Sequence, residues 1–118
     1  MTAKERLQAM VKLSSKITVY IPSTTDVNKE VDTSAYVDNC AVLLSDCFGG
    51  ATATNAIGCW NSPKAGLVKE KTTLVFAYCT TEQLNEHMGK VIDFCDNMKK
   101  ELAQDAVAFE LNGEMYFV

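Results

Sequence analysis

The chain has 118 residues, of which 47% are hydrophobic, and this length suits one domain with one hydrophobic core. Fifteen acidic residues outnumber eleven basic ones, which gives a formal charge of -4, and the basic residues form no run or stripe. We therefore expect a small acidic domain without an extended nucleic-acid surface.

The apolar runs are only a few residues long, far short of the ~20 that span a bilayer, and the first 16 residues are too charged for the core of a signal peptide. A cytoplasmic protein without membrane contact is predicted. The five cysteines are widely spaced, form no C-x-x-C motif and have no histidine cluster beside them. We expect reduced thiols in the core, no metal site and no cofactor.

The first predicted elements are a helix and a strand. Residues 1–15 place Leu7, Met10 and Val11 at helical spacing, which predicts a short amphipathic helix ahead of a single α+β domain of residues 16–118. At the start of that domain, the stretch KITVYIP alternates apolar and polar positions, so it predicts a half-buried strand that ends at Pro22.

A polar loop and a second helix follow. Residues 23–34 are predicted to be a loop, from which Asp32, Thr33 or Ser34 caps the helix. Gly49 and Gly50 supply the conformational freedom that lets this helix end. Its apolar positions form one stripe: Tyr36, Val37, Cys40, Leu43, Leu44 and Cys47.

The middle of the chain predicts two strands joined by a turn. Residues 51–60 have the alternation and β-branched content of a strand, residues 61–66 are typical of a turn, and residues 67–79 form a long second strand. This second strand is apolar on both faces in its second half, which indicates burial on both sides or an interface.

The last third of the chain predicts a helix and a hairpin. Thr80 and Gln83 form a T-x-x-Q capping box ahead of a long apolar stripe. Asn112-Gly113 between two apolar runs is the strongest short signal for a β-hairpin with a type I′ turn. The stripe consists of Leu84, Met88, Val91, Ile92, Cys95, Met98 and Leu102.

This order predicts an α+β fold, a ferredoxin-like β-α-β-β-α-β sandwich with an extra C-terminal hairpin strand and a short N-terminal helix. Two helices cover only one face of such a sheet. Because the strands carry apolar residues on both faces, we expect the second face to be covered by another copy, by the N-terminal helix or by a ligand, and a homo-oligomer is favoured.

No complete catalytic constellation is present. His87 is the only histidine, its nearest cysteine is eight residues away, and no G-x-S-x-G elbow exists. We expect His87 to be a half-exposed surface residue. Carboxylates one helical turn apart, such as Asp93 and Asp96, are typical of a solvated helix face. The sequence therefore assigns no catalytic residue.

The stretch FGGATATNAIGCW, residues 48–60, has the glycines and hydroxyls of a phosphate cradle, but here the glycines follow a helix and precede a strand. The negative end of the helix dipole disfavours a phosphate, so a helix stop and a strand of small residues, under a helix or at a subunit contact, is the stronger interpretation. The candidate ligand-binding residues of this region and the next strand are Thr52, Thr54, Trp60, Asn61, Lys64 and Tyr78.

The motif G-x-T-x5-G-x-W from Gly50 to Trp60, the strand GLVKEKTTLV with Glu70, and the late segment AQDAVAFEL resemble a family of small bacterial and phage proteins catalogued as a domain of unknown function. The resemblance covers roughly residues 17 to 111. It implies a ferredoxin-like fold and one short domain, and it carries over no catalytic residues.

Three functional hypotheses follow. The first is a non-enzymatic oligomeric binding protein, such as a phage or mobile-element counter-defence factor that sequesters a small nucleotide-like ligand or blocks a host protein. The second is a small dimeric enzyme with an apolar pocket on the sheet face, in which Trp60, Asn61, Tyr78 and His87 are the candidates. The third is a structural or regulatory subunit that docks through its N-terminal helix. The missing catalytic constellation favours the first.

Overall fold

Five strands of the chain form one antiparallel sheet, and two long helices lie on one side of it. The computed structural model describes residues 1–26 and 28–118. The elements in chain order are α1 (Ala3–Gln8), β1 (Ser15–Pro22), β2 (Thr24–Thr25), β3 (Lys29–Glu30), α2 (Ser34–Phe48), β4 (Thr52–Ser62), β5 (Gly66–Cys79), α3 (Thr81–Glu101), β6 (Ala108–Leu111) and β7 (Glu114–Phe117).

The strand order of the large sheet is β4-β5-β1-β6-β7, and every neighbouring pair is antiparallel. Without the terminal strand β7, the order is β4-β5-β1-β6. In this order the strands of the unit β1-α2-β4 interleave with those of the unit β5-α3-β6. The predicted ferredoxin-like α+β sandwich, with an added hairpin strand, is therefore confirmed.

The hydrophobic core lies between the sheet and the two helices. In β1 and β5, alternate residues point toward α2 and α3, so Ile17, Val19 and Val75 are fully buried. Leu44 of α2 and Val91 of α3 meet them from the helix side and are also fully buried. The predicted stripes on both helices supply this core, although Ile92 at the edge of its stripe is 40% exposed.

Local sequence signals set the ends of the helices. Thr80 accepts a hydrogen bond from the backbone N–H of Gln83, and the Gln83 side chain accepts one from the N–H of Thr80, which is the predicted capping box. The second helix ends at Gly49, whose φ of 92° lies in the left-handed region that favours glycine. Thr33 precedes this helix without a side-chain cap, whereas Asp32 accepts a hydrogen bond from the N–H of Ser34.

The C-terminal hairpin turns at Asn112 and Gly113, whose φ angles are 51° and 86°. Positive values at both positions are those of a type I′ turn, so the predicted hairpin is confirmed. The side chain of Asn112 also accepts a hydrogen bond of 2.8 Å from the N–H of Lys16, which fastens the turn to the start of β1.

Two segments differ from their prediction. The N-terminal helix ends at Gln8, so Met10 and Val11 lie outside it, and it contributes no buried residue. The predicted loop 23–34 contains a short two-stranded hairpin, β2 with β3. Val27 of this loop lies outside the described residues.

The hairpin of β4 and β5 extends beyond the rest of the sheet. The pairing of β5 with β1 begins at Thr72, so the part of β5 from Gly66 to Lys71 pairs only with β4. We call residues 57–71 the ribbon. The extents of 59 × 29 × 21 Å and the radius of gyration of 16.6 Å reflect it, since a compact chain of this length has a radius of gyration of about 13.5 Å.

Candidate functional site

Among the described residues, no helix covers the second face of the large sheet. Opposed residues of an antiparallel pair point to the same face, so the register defines this uncovered face across the strands. Thr18 of β1 is opposite Phe76 of β5 and Glu110 of β6, and Phe76 is opposite Thr52 of β4. The uncovered face therefore consists of Lys16, Thr18 and Tyr20 on β1, the even-numbered residues 52–60 of β4 and 68–78 of β5, Ala108 and Glu110 on β6, and Met115 and Phe117 on β7.

Four of the six candidate residues predicted from the sequence lie on the uncovered face. Thr52, Thr54 and Trp60 are on β4, and Tyr78 is on β5. Asn61 points to the opposite face, because its position is odd. Lys64 is in the turn between the two strands. The structure thus places four candidates on one surface, and Asn61 and Lys64 away from it.

These four residues do not converge on one small ligand. Thr54 and Trp60 are six residues apart on one strand, which corresponds to about 20 Å. Thr52 and Tyr78 lie near the end of α2, where they line a small cavity with Gly49, Gly50 and Phe76. Trp60 stands at the far end, on the ribbon. The uncovered face therefore has two ends, and the sequence candidates are divided between them.

A groove of about 450 Å³ lies between these two ends, and we call it the central groove. Tyr20 and Phe117 supply aromatic side chains from β1 and β7, and Glu70 supplies a carboxylate from β5. Gly58, directly opposite Glu70 on β4, leaves one wall of the groove without a side chain. Aromatic surface with a few polar groups is the usual lining of a site for a small organic molecule.

Glu70 is the polar group of the central groove with the clearest chemical role. It is exposed, and the ion pairs found among the described residues, His87 with Glu86 and Lys100 with Asp96, both lie on α3. Its carboxylate is therefore free to accept hydrogen bonds from a hydroxyl or amino group, or to attract a cation.

Glu70, Tyr20 and Phe117 were not among the ligand-binding candidates predicted from the sequence. The position of Glu70 in the sequence could have identified it as a candidate. It is an even-numbered residue in the strand of Leu74, Phe76 and Tyr78, and alternation puts all four side chains on one face. Tyr20 and Phe117 join the groove from other strands, which depends on the strand order of the sheet.

The end of the uncovered face near α2 is more polar. The ammonium Nζ of Lys16 lies 4.6 Å from the ring centroid of Phe76 and 5.5 Å from that of Tyr78. The Thr18 hydroxyl donates a hydrogen bond of 3.4 Å to Glu110. These contacts fix the side chains of this end to one another, and Tyr78 remains 51% exposed beside them.

A second cavity, of about 740 Å³, is on the helix side of the sheet, at the start of α2. Asp32 and Asp38 approach it from the helix, and Asn55, Lys71 and Thr73 approach it from the strands. Asp32 is already engaged by the N–H of Ser34, a hydrogen bond that lowers the pKa of this carboxyl. None of the six predicted residues lines this cavity, and none of the described residues that line it is aromatic, whereas aromatic side chains line the central groove.

His87 is separated from the uncovered face by the sheet. It lies on α3, with its ring edge-on to Phe48 at a centroid distance of 6.0 Å. Its side chain is 19% exposed, less than the predicted half, and its Nδ1 is buried without a hydrogen-bond partner among the described residues. Trp60 and Tyr78 therefore do not share a site with His87, and the predicted enzyme site that combined these residues is not assembled.

The cysteines behave mainly as core side chains. Cys40 and Cys95 are fully buried, and burial raises the pKa of each thiol to about 12, with a smaller contribution from Cys95 to Cys40. Cys59 on the ribbon is exposed, whereas the other four are buried. Across the described residues, His, Cys, Asp and Glu form no cluster of three or more that could hold a metal ion.

No helix in residues 1–26 and 28–118 combines the length and the apolar character needed to cross a membrane.

The fold defines a class of small α+β proteins, and solved structures share it. No family model and no curated protein matches the chain. A phage SAM lyase in complex with S-methyl-5'-thioadenosine is similar, with a TM-score of 0.63 and 13% identity over 92% of each chain. A phage SAM lyase in the apo state gives a TM-score of 0.59 and 14% identity over 92% of this chain and 94% of the other. At this identity the likeness shows a common fold along nearly the whole chain.

Proposed function

We propose that this chain is an oligomeric cytoplasmic protein that binds a small nucleoside ligand of the S-methyl-5'-thioadenosine type on its uncovered sheet face. In this proposal it belongs to a phage or mobile element and counters host defence by sequestering that ligand. The observation that carries the proposal is the central groove, which two aromatic side chains and one free carboxylate line together on a face without helices.

The chemistry of the groove matches such a ligand. The rings of Tyr20 and Phe117 offer stacking surface for a purine base. Glu70 accepts hydrogen bonds from the paired hydroxyls of the ribose, because an ionised carboxylate has two acceptor oxygens. The apolar positions beside the groove, such as Leu74, suit a thioether. A volume of about 450 Å³ is within the range of small-molecule sites.

The fold comparison supports the ligand class. The similar phage protein was solved with S-methyl-5'-thioadenosine, and the present chain covers 92% of it. Self-association is supported by the exposed apolar side chains of β4, Ile57 and Trp60, since soluble monomers rarely expose large apolar side chains close together. The family resemblance to small phage proteins stays a prediction and agrees with this assignment.

The test is calorimetric titration of the purified protein with S-methyl-5'-thioadenosine. Glu70→Gln should weaken binding by about tenfold or more, because a hydrogen bond to a charged group is lost. Asp93→Asn, which removes one negative charge from an exposed position of α3, is the matched control and should bind like wild type. Absence of heat with wild type, or an equal loss in both variants, would contradict the proposal.

A second variant fills the groove and leaves both aromatic rings and the carboxylate in place. A Cβ built at Gly58 meets only the carbonyl oxygen of Glu70, at 3.8 Å, which is an ordinary contact. Gly58→Val should therefore fold normally and still lose the ligand. Unchanged binding by Gly58→Val would place the ligand elsewhere.

A second candidate function is an enzyme that acts on SAM at the same groove. The specific observation in its favour is Glu70, an unpaired carboxylate that lines the same groove as the aromatic side chains and can serve as a general base. Incubation of SAM with the protein, followed by mass spectrometry, separates the two functions. Turnover that disappears in Glu70→Gln would favour the enzyme, whereas binding without conversion of SAM would favour sequestration.

A further inference from the structure

The strand β4 is a long edge of the sheet. It stands first in the strand order, so one side of its backbone hydrogen-bonds to β5 and the other side has no partner strand among the described residues. It runs for 11 residues, from Thr52 to Ser62. Ile57 and Trp60 on it are 65% and 54% exposed.

This edge lacks the features that normally keep sheet edges apart. Protein edge strands are typically short, charged, interrupted by proline or distorted by a bulge. Although 22% of the chain is charged, residues 51–63 include no charged side chain, and the only proline among them is at the end. The pairing of β4 with β5 runs from Thr52 to Ser62 without a skipped residue, so there is no bulge.

The opposite edge of the sheet shows the contrast. The strand β7 has four residues, begins with Glu114 and turns the ring of Tyr116 onto Phe109 at a centroid distance of 5.3 Å. It is a short, charged edge of the ordinary kind. Of these two edge strands, therefore, β4 alone lacks the features that prevent pairing with another strand. We expect another strand to pair with it.

We infer that β4 pairs antiparallel with β4 of a second copy, which joins the two sheets into one of ten strands. The inference rests on the self-association in the proposed function and names its interface. Identical strands suit each other here, because a strand without charged residues brings no like charges together at a two-fold axis. Lys69 and Lys71 lie on β5, one strand further from this edge.

The symmetry fixes what the pairing does to the site. Antiparallel pairing of identical strands requires a two-fold axis perpendicular to the sheet, so the uncovered faces of both copies lie on the same side. The longest overlap is centred on Ile57, the middle residue of β4. In that register Thr54 of each copy is opposite Trp60 of the other, and the two sequence-predicted residues, about 20 Å apart in one chain, become neighbours.

Cysteine cross-linking tests the interface without any ligand. In a Cys59→Ser background, which removes the exposed thiol, Ile57→Cys should give a disulfide-linked dimer on mild oxidation, because the two residues face each other across the axis. Met115→Cys on β7 is the matched control and should stay monomeric on a non-reducing gel. Cross-linking of the β7 variant, or none of the Ile57 variant, would overturn the inference.

A charge at the axis provides the second test. Ile57→Lys opposes two ammonium groups and should raise the dissociation constant of the dimer about tenfold or more in sedimentation equilibrium, whereas Met115→Lys should not. Circular dichroism checks that both variants fold. Wild-type protein that sediments as a monomer would overturn the inference, while titration with S-methyl-5'-thioadenosine tests the ligand separately.

Discussion

Lys16 and Phe76 are diagonal neighbours on the uncovered face, with the Lys16 ammonium 4.6 Å from the centroid of the Phe76 ring. Lys16 directly opposes Tyr78, and its ammonium lies 5.5 Å from that ring as well. One lysine thus holds two aromatic rings at the end of the face near α2. A cation within about 6 Å of a ring face is attracted by the electron density of the ring.

Replacing this lysine should cost stability. Lys16→Gln is expected to lower the free energy of unfolding by about 0.5–1 kcal/mol, because it keeps the length and polarity of the side chain but removes the cation. Urea denaturation measures the change. Lys4→Gln on α1, a helix without buried residues, is the control and should leave the midpoint unchanged. Equal effects of the two substitutions would show that the rings contribute nothing.

The core should respond much more strongly than the surface of the same helix. Leu44 of α2 is fully buried, and Val42, two residues earlier, is 60% exposed. Leu44→Ala is expected to lower the free energy of unfolding by about 2–5 kcal/mol because it leaves a cavity. Val42→Ala should change it by no more than about 0.5 kcal/mol. A small effect at Leu44 would be incompatible with its place in the core.

The sequence was sufficient for much of the fold because its signals are local. The capping box of Thr80 and Gln83 and the turn at Asn112-Gly113 each specify a conformation within a few residues, and both are present. The predicted end of the N-terminal helix was wrong. A helix of six residues without a packed face gains little stability from additional residues, so it ends early.

The position of β4 could not be predicted in the same way. Its small residues suggested a strand beneath a helix or at a subunit contact. The structure shows a mostly exposed edge strand, and the subunit contact stays a prediction. Alternation states which residues share a face, but not where a strand stands in its sheet. Alternation along β4 puts Thr52, Thr54 and Trp60 on one face, whereas the lining of one groove by Tyr20, Phe117 and Glu70 depends on strand order.

The two capping boxes of the chain should differ in their contribution to stability. Thr80 caps α3, which packs on the core, and Thr2 makes the same reciprocal hydrogen bonds with Glu5 at α1, which buries nothing. Thr80→Ala is expected to lower the free energy of unfolding by about 1 kcal/mol. Thr2→Ala should leave it unchanged in urea denaturation, because α1 does not take part in cooperative unfolding. A measurable loss in Thr2→Ala would mean that α1 packs on something in solution.

Two buried thiols should make the protein less stable at alkaline pH. Burial raises the pKa of Cys40 and Cys95 to about 12 from an ordinary value of 9.0, so the folded state keeps both protonated where the unfolded chain ionises. The contribution of the two protonated thiols to the free energy of unfolding is complete below pH 9 and is lost as the pH rises from about 9 to 12. Between pH 8 and pH 10 the two thiols together should lower the free energy of unfolding by about 2–3 kcal/mol.

The variant that isolates this effect is Cys40→Ala combined with Cys95→Ala. It is less stable at pH 8 because of the lost packing, but its further loss between pH 8 and pH 10 should be smaller than that of wild type by the amount attributed to the thiols. Tyr36, whose pKa is raised by its hydrogen bond to Glu101, titrates equally in both proteins and cancels in the difference. Parallel pH profiles in urea denaturation would mean that the thiols ionise as readily in the folded protein as in the unfolded chain.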